Sequence, residues 1–526
     1  MNPWVRGDGI GYYAFARAPL IEHSLNFERD YWSGNASFRD ARFDENGQPR
    51  SFLVTSTGHL DNHFTVGPAI LWAPFLLVAH AGVLLARAFG SHVAADGFSA
   101  PYRFAMAFGT ALYGFLGLLL AARVAREYVD GRWAFLATIA IWWGSSLPVY
   151  MYFNPSWSHA HSAFAVALFL WYWHETRDLR TLRQWCILAV IAGLMLNVYY
   201  ANVTILVVLV VEAIRQYLTA LRHAPGGAAA PRIPAGTSDV DFANTGSSRM
   251  ERGRGDMTRV DESRGATPIG VALRGELPFG EGARRDSSFG SPSVAQMLIN
   301  HLLFCLIIVV CLLPTFISRY VIYGSAMESG YVPLGYWAWR SPYFLSVLFS
   351  SDHGLLVWTP VVILALAGLF VFWWREPRVG APILAAVLAF YLLIACYPDW
   401  DGISSYGNRF FISLTAPFIL GLSVLFDRAA ALSRSLRAAP AVASSLVACF
   451  ILWNLAFVFQ WGTHMVPARG PIAWSEMIHN QFFVVPREIS GKARNYLFHR
   501  SNLMRQIEQR DIEQRDIKQV DKPPAP

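Results

Sequence analysis

Five short polar stretches interrupt a chain that is otherwise apolar, and each holds residue types able to do chemistry. The first, Gly7-Asp8-Gly9-Ile10-Gly11-Tyr12-Tyr13, sets one carboxylate among three glycines whose backbone freedom exposes it. Asp8 there reads as a general base, or as a turn aspartate or helix cap. The second, Thr57-Gly58-His59-Leu60-Asp61-Asn62-His63, spaces two histidines and an aspartate at intervals of two. Such a set can ligate a metal, or cap and border the helix that follows. The third, Asn154-Pro155-Ser156-Trp157-Ser158-His159-Ala160-His161, puts its two histidines on different helix faces. They cannot chelate as a pair spaced by four would, although one can line a cavity. The fourth, Ser350-Ser351-Asp352-His353-Gly354, leads directly into an apolar run. The fifth runs from Asp399 through Asp401 to Arg409. A carboxylate costs about 2.5–3.5 kcal/mol at the centre of a membrane helix, so this stretch belongs in water or in a polar cavity. Arg409 reads as an anion clamp or as a cation snorkelling to the interface.

The elements that must hold these stretches are membrane helices. Of 526 residues 54% are hydrophobic, 14% aromatic and only 15% charged, against about 25% charged in soluble domains. With a mean hydropathy of +0.33, this composition excludes a soluble enzyme, a disordered scaffold and a fibrous repeat. Runs long enough to span a bilayer, about 20 residues, cover 102–124, 131–152, 158–174, 298–323, 355–374, 381–398, 410–427 and 441–461. The apolar stretch 184–217 is split near Asn197-Val198-Tyr199-Tyr200 into two helices. The run 66–89, interrupted by Pro68, Pro74 and His80, either spans or lies as a re-entrant or interfacial helix. The expected fold is all-α, a polytopic membrane bundle of about 10–11 apolar helices.

Arginines set the orientation. Arg123, Arg126 and Arg132, then Arg177, Arg180 and Arg183, then Arg375 and Arg378, then Arg428, Arg434 and Arg437 mark alternate short loops. The positive-inside rule makes these cytoplasmic, and puts the polar stretches outside. The order is then an extracytoplasmic loop 1–65, a first transmembrane block 66–223, a disordered cytoplasmic loop 224–293, a second block 294–461, and an extracytoplasmic tail 462–526. The 224–293 loop is rich in Gly, Pro and Ser, and has only Phe242, Phe279 and Phe289 as aromatics, too little to build a core. The tail repeats Ile507-Glu508-Gln509-Arg510-Asp511 with a period of five, to which no chemistry attaches. Only Lys492, Lys518 and Lys522 are lysines among 43 basic residues; this bias reads as coding composition, not as a nucleic-acid surface. The five cysteines all lie inside apolar runs without a C-x-x-C pair, and read as small buried hydrophobes. The first residues show no apolar signal segment, so insertion relies on the internal spans.

The order of these motifs resembles a known family. Gly7-Asp8-Gly9-x-Gly11-Tyr12-Tyr13-Ala14, Asn62-His63-Phe64-Thr65-Val66-Gly67-Pro68-Ala69 with Trp72-Ala73-Pro74, Pro155-Ser156-x-Ser158-His159, Phe349-Ser350-Ser351-x-His353-Gly354 and Ser405-Tyr406-Gly407-x-Arg409-Phe410 carry the likeness. Together they resemble bacterial integral-membrane glycosyltransferases of the GT-C superfamily, relatives of the dolichyl-phosphate-mannose protein mannosyltransferases, over roughly residues 4–480. The resemblance implies an active site under a large first extracytoplasmic loop, with the catalytic aspartate at Asp8. Two positions depart from the pattern: nothing apolar precedes Asp8, and Asn154 stands where relatives often carry a second acid.

The expected reaction moves a sugar from a polyprenyl-phosphate donor to a hydroxyl of a lipid, glycan or protein acceptor, with inversion, at the bacterial inner membrane. Asp8 is the expected base and Arg409, assisted by His353, the group facing the departing phosphate. His159, Tyr12, Tyr13, His63 and Asp401 complete the expected substrate-binding set. A divalent metal is left open, and no nucleic-acid partner is expected. The rival reading is a polytopic transporter or lipid flippase, which predicts ionisable residues within spans and two similar halves. No clear internal repeat is present, and the charged stretches sit at span ends. A noncatalytic scaffold would leave the one-sided polar stretches unexplained.

Overall fold

The computed structural model describes residues 1–177, 180–222, 293–330, 334–340, 342–432, 438–466 and 470–499, with 502, 505, 506 and 509 beyond them. Of the stretch 224–293, expected as a disordered loop, all but residue 293 lies outside the described residues, as does the repeat from 510 onward. The chain forms two compact units, Met1–Gln216 with Ala295–Pro526, and Tyr217–Val294. Of the second, only 217–222 and 293–294 are described.

Among the described residues there is no strand beyond the isolated bridges Phe43↔Pro49 and Val54↔Leu60, and the all-α expectation holds. The main helices in chain order are α1 Asp8–Arg17, α2 Gly67–Ala88, α3 Ala100–Arg126, α4 Gly131–Gly144, α5 His159–Thr176, α6 Leu182–Val198, α7 Val207–Arg222, α8 Val294–Cys311, α9 Leu313–Tyr323, α10 Val361–Arg375, α11 Pro377–Ala395, α12 Thr415–Leu432 and α13 Ala439–Gly462. Seven helical stretches among the described residues are long and apolar enough to cross a membrane. The chain is a multi-pass membrane protein.

Local chemistry places the helix ends. Prolines in the first turn start α2, α3, α9, α11 and α13, where a missing N–H breaks no helical bond. The Asp130 carboxylate accepts the Arg132 N–H at 2.9 Å to cap α4, and a Thr181–Gln184 capping box starts α6. The helix α6 stops where Tyr199 turns extended, and a tight turn over Tyr200–Leu206 leads into α7. Asn197 holds this break. Its amide donates to the Gly193 and Cys311 carbonyls at 2.9 and 2.8 Å, and its Oδ1 accepts from Thr315 Oγ1 at 2.7 Å. Cys311 is the last residue of α8 and Thr315 lies in the first turn of α9, so one buried side chain ties the end of α6 to both.

At the centre of the bundle stands α12. The apolar window of Arg409–Leu432 is 89% buried, against 22% for α13 and 28% for α2. Glycines bring α12 against α10: a Cβ on Gly368 would collide with the Gly421 carbonyl, and one on Gly421 with the Ala365 carbonyl. The arginine loops gather at one end, where Arg123 pairs with Glu175 at 3.6 Å, Arg180 with Glu212 at 2.5 Å and Arg375 with Asp427 at 3.1 Å. The polar stretches collect at the other end.

The run 66–89 forms a single helix, α2, lying antiparallel to the first part of α3. Trp72 Nε1 donates to Thr110 Oγ1 at 2.8 Å, and His80 Nδ1 meets the Tyr102 hydroxyl at 2.6 Å. Thr110 itself donates to the Pro155 carbonyl at 2.8 Å, in the polar end. At its start α2 also meets the bundle: Gly67 packs directly on Asn197 and Val198, and the Trp72 ring lies 5.1 Å from that of His161. The first loop has a core of its own, built from Ile10, Phe27, Tyr31, Phe38 and Phe43 around the fully buried Arg17. Arg17 gives Nε and Nη2 to the two Asp30 oxygens at 2.6 Å each, gives Nη1 to Glu22 at 2.8 Å, and lies 4.4 Å from the Phe98 ring. Hydrogen-bonded carboxylates on both sides offset the cost of burying that cation.

Candidate active site

Asp8 is the first residue of α1, where the helix dipole favours a carboxylate. Gly7 supplies the left-handed turn before it, at φ 55°, and gives its N–H to Asn35 Oδ1 at 3.1 Å. Two contacts dock this segment on the loop before α5. Trp157 Nε1 donates to the Arg6 carbonyl at 3.0 Å, and Gly9 packs so closely on Ser156 that no side chain fits between them. The Asp8 carboxylate, 36% exposed, reaches back into the protein and pairs with Arg409 Nη1 at 2.9 Å.

Arg409 opens a tight turn, Arg409–Leu414, that feeds α12. Its guanidinium, only 10% exposed, lies 4.3 Å from the Trp157 ring and 5.5 Å from the Phe410 ring, a planar stack that suits arginine better than lysine. Its Nε is buried and has no hydrogen-bond partner among the described residues. A polar network fixes the turn. Ser413 Oγ meets Ser162 Oγ of α5 at 2.7 Å, and Asn202 donates to the same Ser162 oxygen at 2.9 Å. Upstream, the Tyr406 N–H donates to the Tyr150 hydroxyl at 3.1 Å, and the Tyr406 hydroxyl donates to Asn454 Oδ1 at 2.8 Å. The guanidinium thus points from a rigid support.

His353 is buried, with its Nδ1 2.9 Å from the Asp401 carbonyl. A carbonyl only accepts, so Nδ1 carries the proton. Burial, with Arg409 nearby, holds the imidazole down at about 4, so the ring is neutral near pH 7 and presents Nε2 as a lone pair. In that state it has no second N–H for a phosphate; it offers a ligand atom instead. Asp352, His353 and Asp401 each offer one ligand atom, all within 4.8 Å of one another. Two carboxylates and an imidazole suit a divalent transition-metal ion such as zinc better than calcium or magnesium, which take oxygen ligands.

Other residues singled out from the sequence fall into two groups. His159 joins the Arg409 cluster, with ring centroids 5.0 Å from Tyr150 and 5.8 Å from Tyr199; Tyr12 and Tyr199 both interact electrostatically with Arg409. Tyr13 and His63 lie elsewhere. The Tyr13 hydroxyl donates to the Gly97 carbonyl at 2.7 Å inside the first-loop core. His63 pairs with Asp61 at 3.2 Å, and Asp61 also accepts from the Tyr323 hydroxyl at 2.5 Å. Burial would raise the Asp61 carboxyl, but these partners hold it below the usual carboxylate range. His59 stands apart, its Nδ1 3.0 Å from Thr57 Oγ1, so this stretch does not close into a three-ligand set. His161 packs its ring against Trp72 and Tyr113, at 5.1 and 5.8 Å, away from His159. Trp157 escaped the sequence reading; its indole carries the Arg409 stack, and only its place beside Ser156 and His159 hinted at a role.

The fold and this end of the bundle define a class: an all-α, multi-pass membrane protein with the Asp8–Arg409 ion pair and its aromatic and polar neighbours at one set of helix ends. Comparison with protein families, with curated protein sequences and with solved structures finds no match.

Proposed function

We propose that the protein is a membrane glycosyltransferase that moves a sugar from a polyprenyl-phosphate donor to an acceptor hydroxyl at the extracytoplasmic face, with inversion. The observation that carries this reading is the meeting of Asp8 and Arg409, 401 positions apart in sequence, in one ion pair at 2.9 Å. A base and an anion-binding cation side by side are the two groups a single displacement from a lipid phosphate needs. The donor phosphate takes over Nη1 and the unpartnered Nε of Arg409, and so releases the Asp8 carboxylate. The acceptor oxygen attacks the anomeric carbon, its proton passes to Asp8, and the carbon–oxygen bond to phosphate breaks. The electron pair leaves on a phosphate oxygen facing Arg409. If Asp352, His353 and Asp401 hold a divalent cation, it supplies additional positive charge near that oxygen. Of the buried ion pairs, Arg17–Asp30 lies in the first loop and Asp8–Arg409 at helix ends, whereas Glu212, the partner of Arg180, sits inside α7. The transporter reading needs two similar halves as well, and the sequence has no clear internal repeat.

The test is transfer from a radiolabelled polyprenyl-phosphate sugar by purified protein in detergent, with donor binding measured separately. Asp8→Asn keeps size and polarity but loses the base, so turnover is expected to fall by about 10²-fold or more while donor binding persists. Arg409→Lys keeps charge but loses the planar fork and the Trp157 stack, and both binding and transfer are expected to weaken. Near-normal transfer by both variants would end this assignment.

A further inference from the structure

We propose that a second anion site lies between the first loop and α9, where Arg319 takes the phosphate of a membrane lipid. The cleft there is lined by His63, Phe64, Tyr200, Ser318, Arg319 and Ser329, among others, and is too narrow to admit a water molecule, so a phosphate meets Arg319 at its rim. Arg319 is the only arginine or lysine between residues 294 and 330. Its guanidinium lies 5.1 Å from the centre of the Tyr200 ring. Among the described residues no carboxylate pairs with it; Asp61, the acid beside the cleft, is engaged by His63 and Tyr323. A half-buried cation set near hydroxyls and without a carboxylate partner suits a phosphate, which a guanidinium can hold through two N–H groups at once.

The neighbouring surface identifies the source of that phosphate as a lipid. On α9, Ile317 and Tyr320 flank Arg319 and are 59% and 65% exposed, the kind of surface that acyl chains cover in a bilayer. An anionic head group therefore meets the cation while its chains lie against the same helix. The site is distinct from the Arg409 cluster yet adjoins it. Tyr199 stacks on Phe410 at 6.4 Å and interacts with Arg409, whereas Tyr200, the next residue, faces Arg319. The helix break at 199–200 thus forms a wall with one cation on each side. This inference concerns binding alone and does not rest on the transferase reading.

The experiment is equilibrium dialysis of the full chain in phosphate-free alkyl maltoside micelles, against radiolabelled dodecyl phosphate or inorganic phosphate. Thermal midpoints check that each variant is folded. The expected result is that Arg319→Gln lowers bound dodecyl phosphate by one per protein and that Arg319→Lys weakens that site by about tenfold or more, as loss of a charge-assisted hydrogen bond would. Inorganic phosphate is expected to bind too weakly to compete at equal concentration. Unchanged dodecyl phosphate binding by folded Arg319→Gln would overturn the site. Equal binding of inorganic phosphate, lost in the same variant, would overturn the lipid as its source.

Discussion

Gly9→Ala tests how the carboxylate of Asp8 is aimed. A Cβ built on Gly9 falls 2.5 Å from Ser156 Cβ, closer still to Ser156 Oγ, and 3.1 Å from the Ser156 carbonyl carbon. Carbon atoms pack at about 3.5–4.0 Å, so α1 must withdraw from the 154–158 loop by about 1 Å. Rotating the Ser156 hydroxyl cannot relieve this, because its Cβ and backbone also obstruct. Overpacking of this kind costs about 1–3 kcal/mol, and a 1 Å displacement of a reacting group costs about 10²-fold in rate. Asp8 is the preceding residue, so its 2.9 Å contact with Arg409 moves with the helix. The variant is expected to lose transfer from a polyprenyl-phosphate sugar and to melt earlier in detergent, with Asp8 and Arg409 both intact. Adding Ser156→Gly removes the two closest obstructing atoms, so partial recovery of both properties is expected. Wild-type behaviour of Gly9→Ala, or a double variant no better than the single, would refute the docking of α1 described here.

Three further outcomes are expected. In metal-free protein the buried, neutral His353 resists protonation down to a pH of about 4, whereas an unfolded histidine takes up a proton near pH 6.5. Stability is therefore full above pH 6.5 and is lost as pH falls toward 4, by on the order of 3 kcal/mol; melting of His353→Gln in detergent should show a flatter pH dependence, and equal slopes would refute the argument. Gly421→Ala should destabilise the protein by about 1–3 kcal/mol through the α10–α12 contact, while Gly462→Ala, with open space around it, should melt like wild type. In a chain freed of its native cysteines, a membrane-impermeant maleimide added to intact cells should label Glu45→Cys and Ile403→Cys but not Met250→Cys; the reverse pattern would invert the orientation.

Periodicity and composition made the bundle legible. A run of apolar residues announces a membrane helix wherever it occurs, and the pause at Asn197–Tyr200 was visible because polar and aromatic residues interrupt such a run. The polar stretches were legible individually for the same reason. Their pairing was not, because contacts between residues 8 and 409 leave no mark in local spacing. The Arg17–Asp30–Glu22 network went unread in the same way: three charges in an apparently polar loop give no sign that they are buried together. For 66–89 composition announced an apolar helix, but its pairing with α3 through Trp72–Thr110 and His80–Tyr102 left no mark in local spacing. Tyr13 and His63 share a sequence neighbourhood with Asp8 or the first apolar helix, but the turns between them direct their side chains to other partners.

The central place of α12 has a consequence for how the protein is made. The helices α3 and α4, which contact it, are complete by residue 144, whereas α12 begins at residue 415. At roughly 5–20 residues per second, the ribosome needs on the order of tens of seconds to deliver it. Throughout that interval the early helices sit in the bilayer with the faces that will receive α12 turned to lipid or to temporary neighbours. Assembly is therefore closed from the carboxyl-terminal side, and a nascent chain that stops before residue 409 lacks both the guanidinium and the post around which the earlier helices settle.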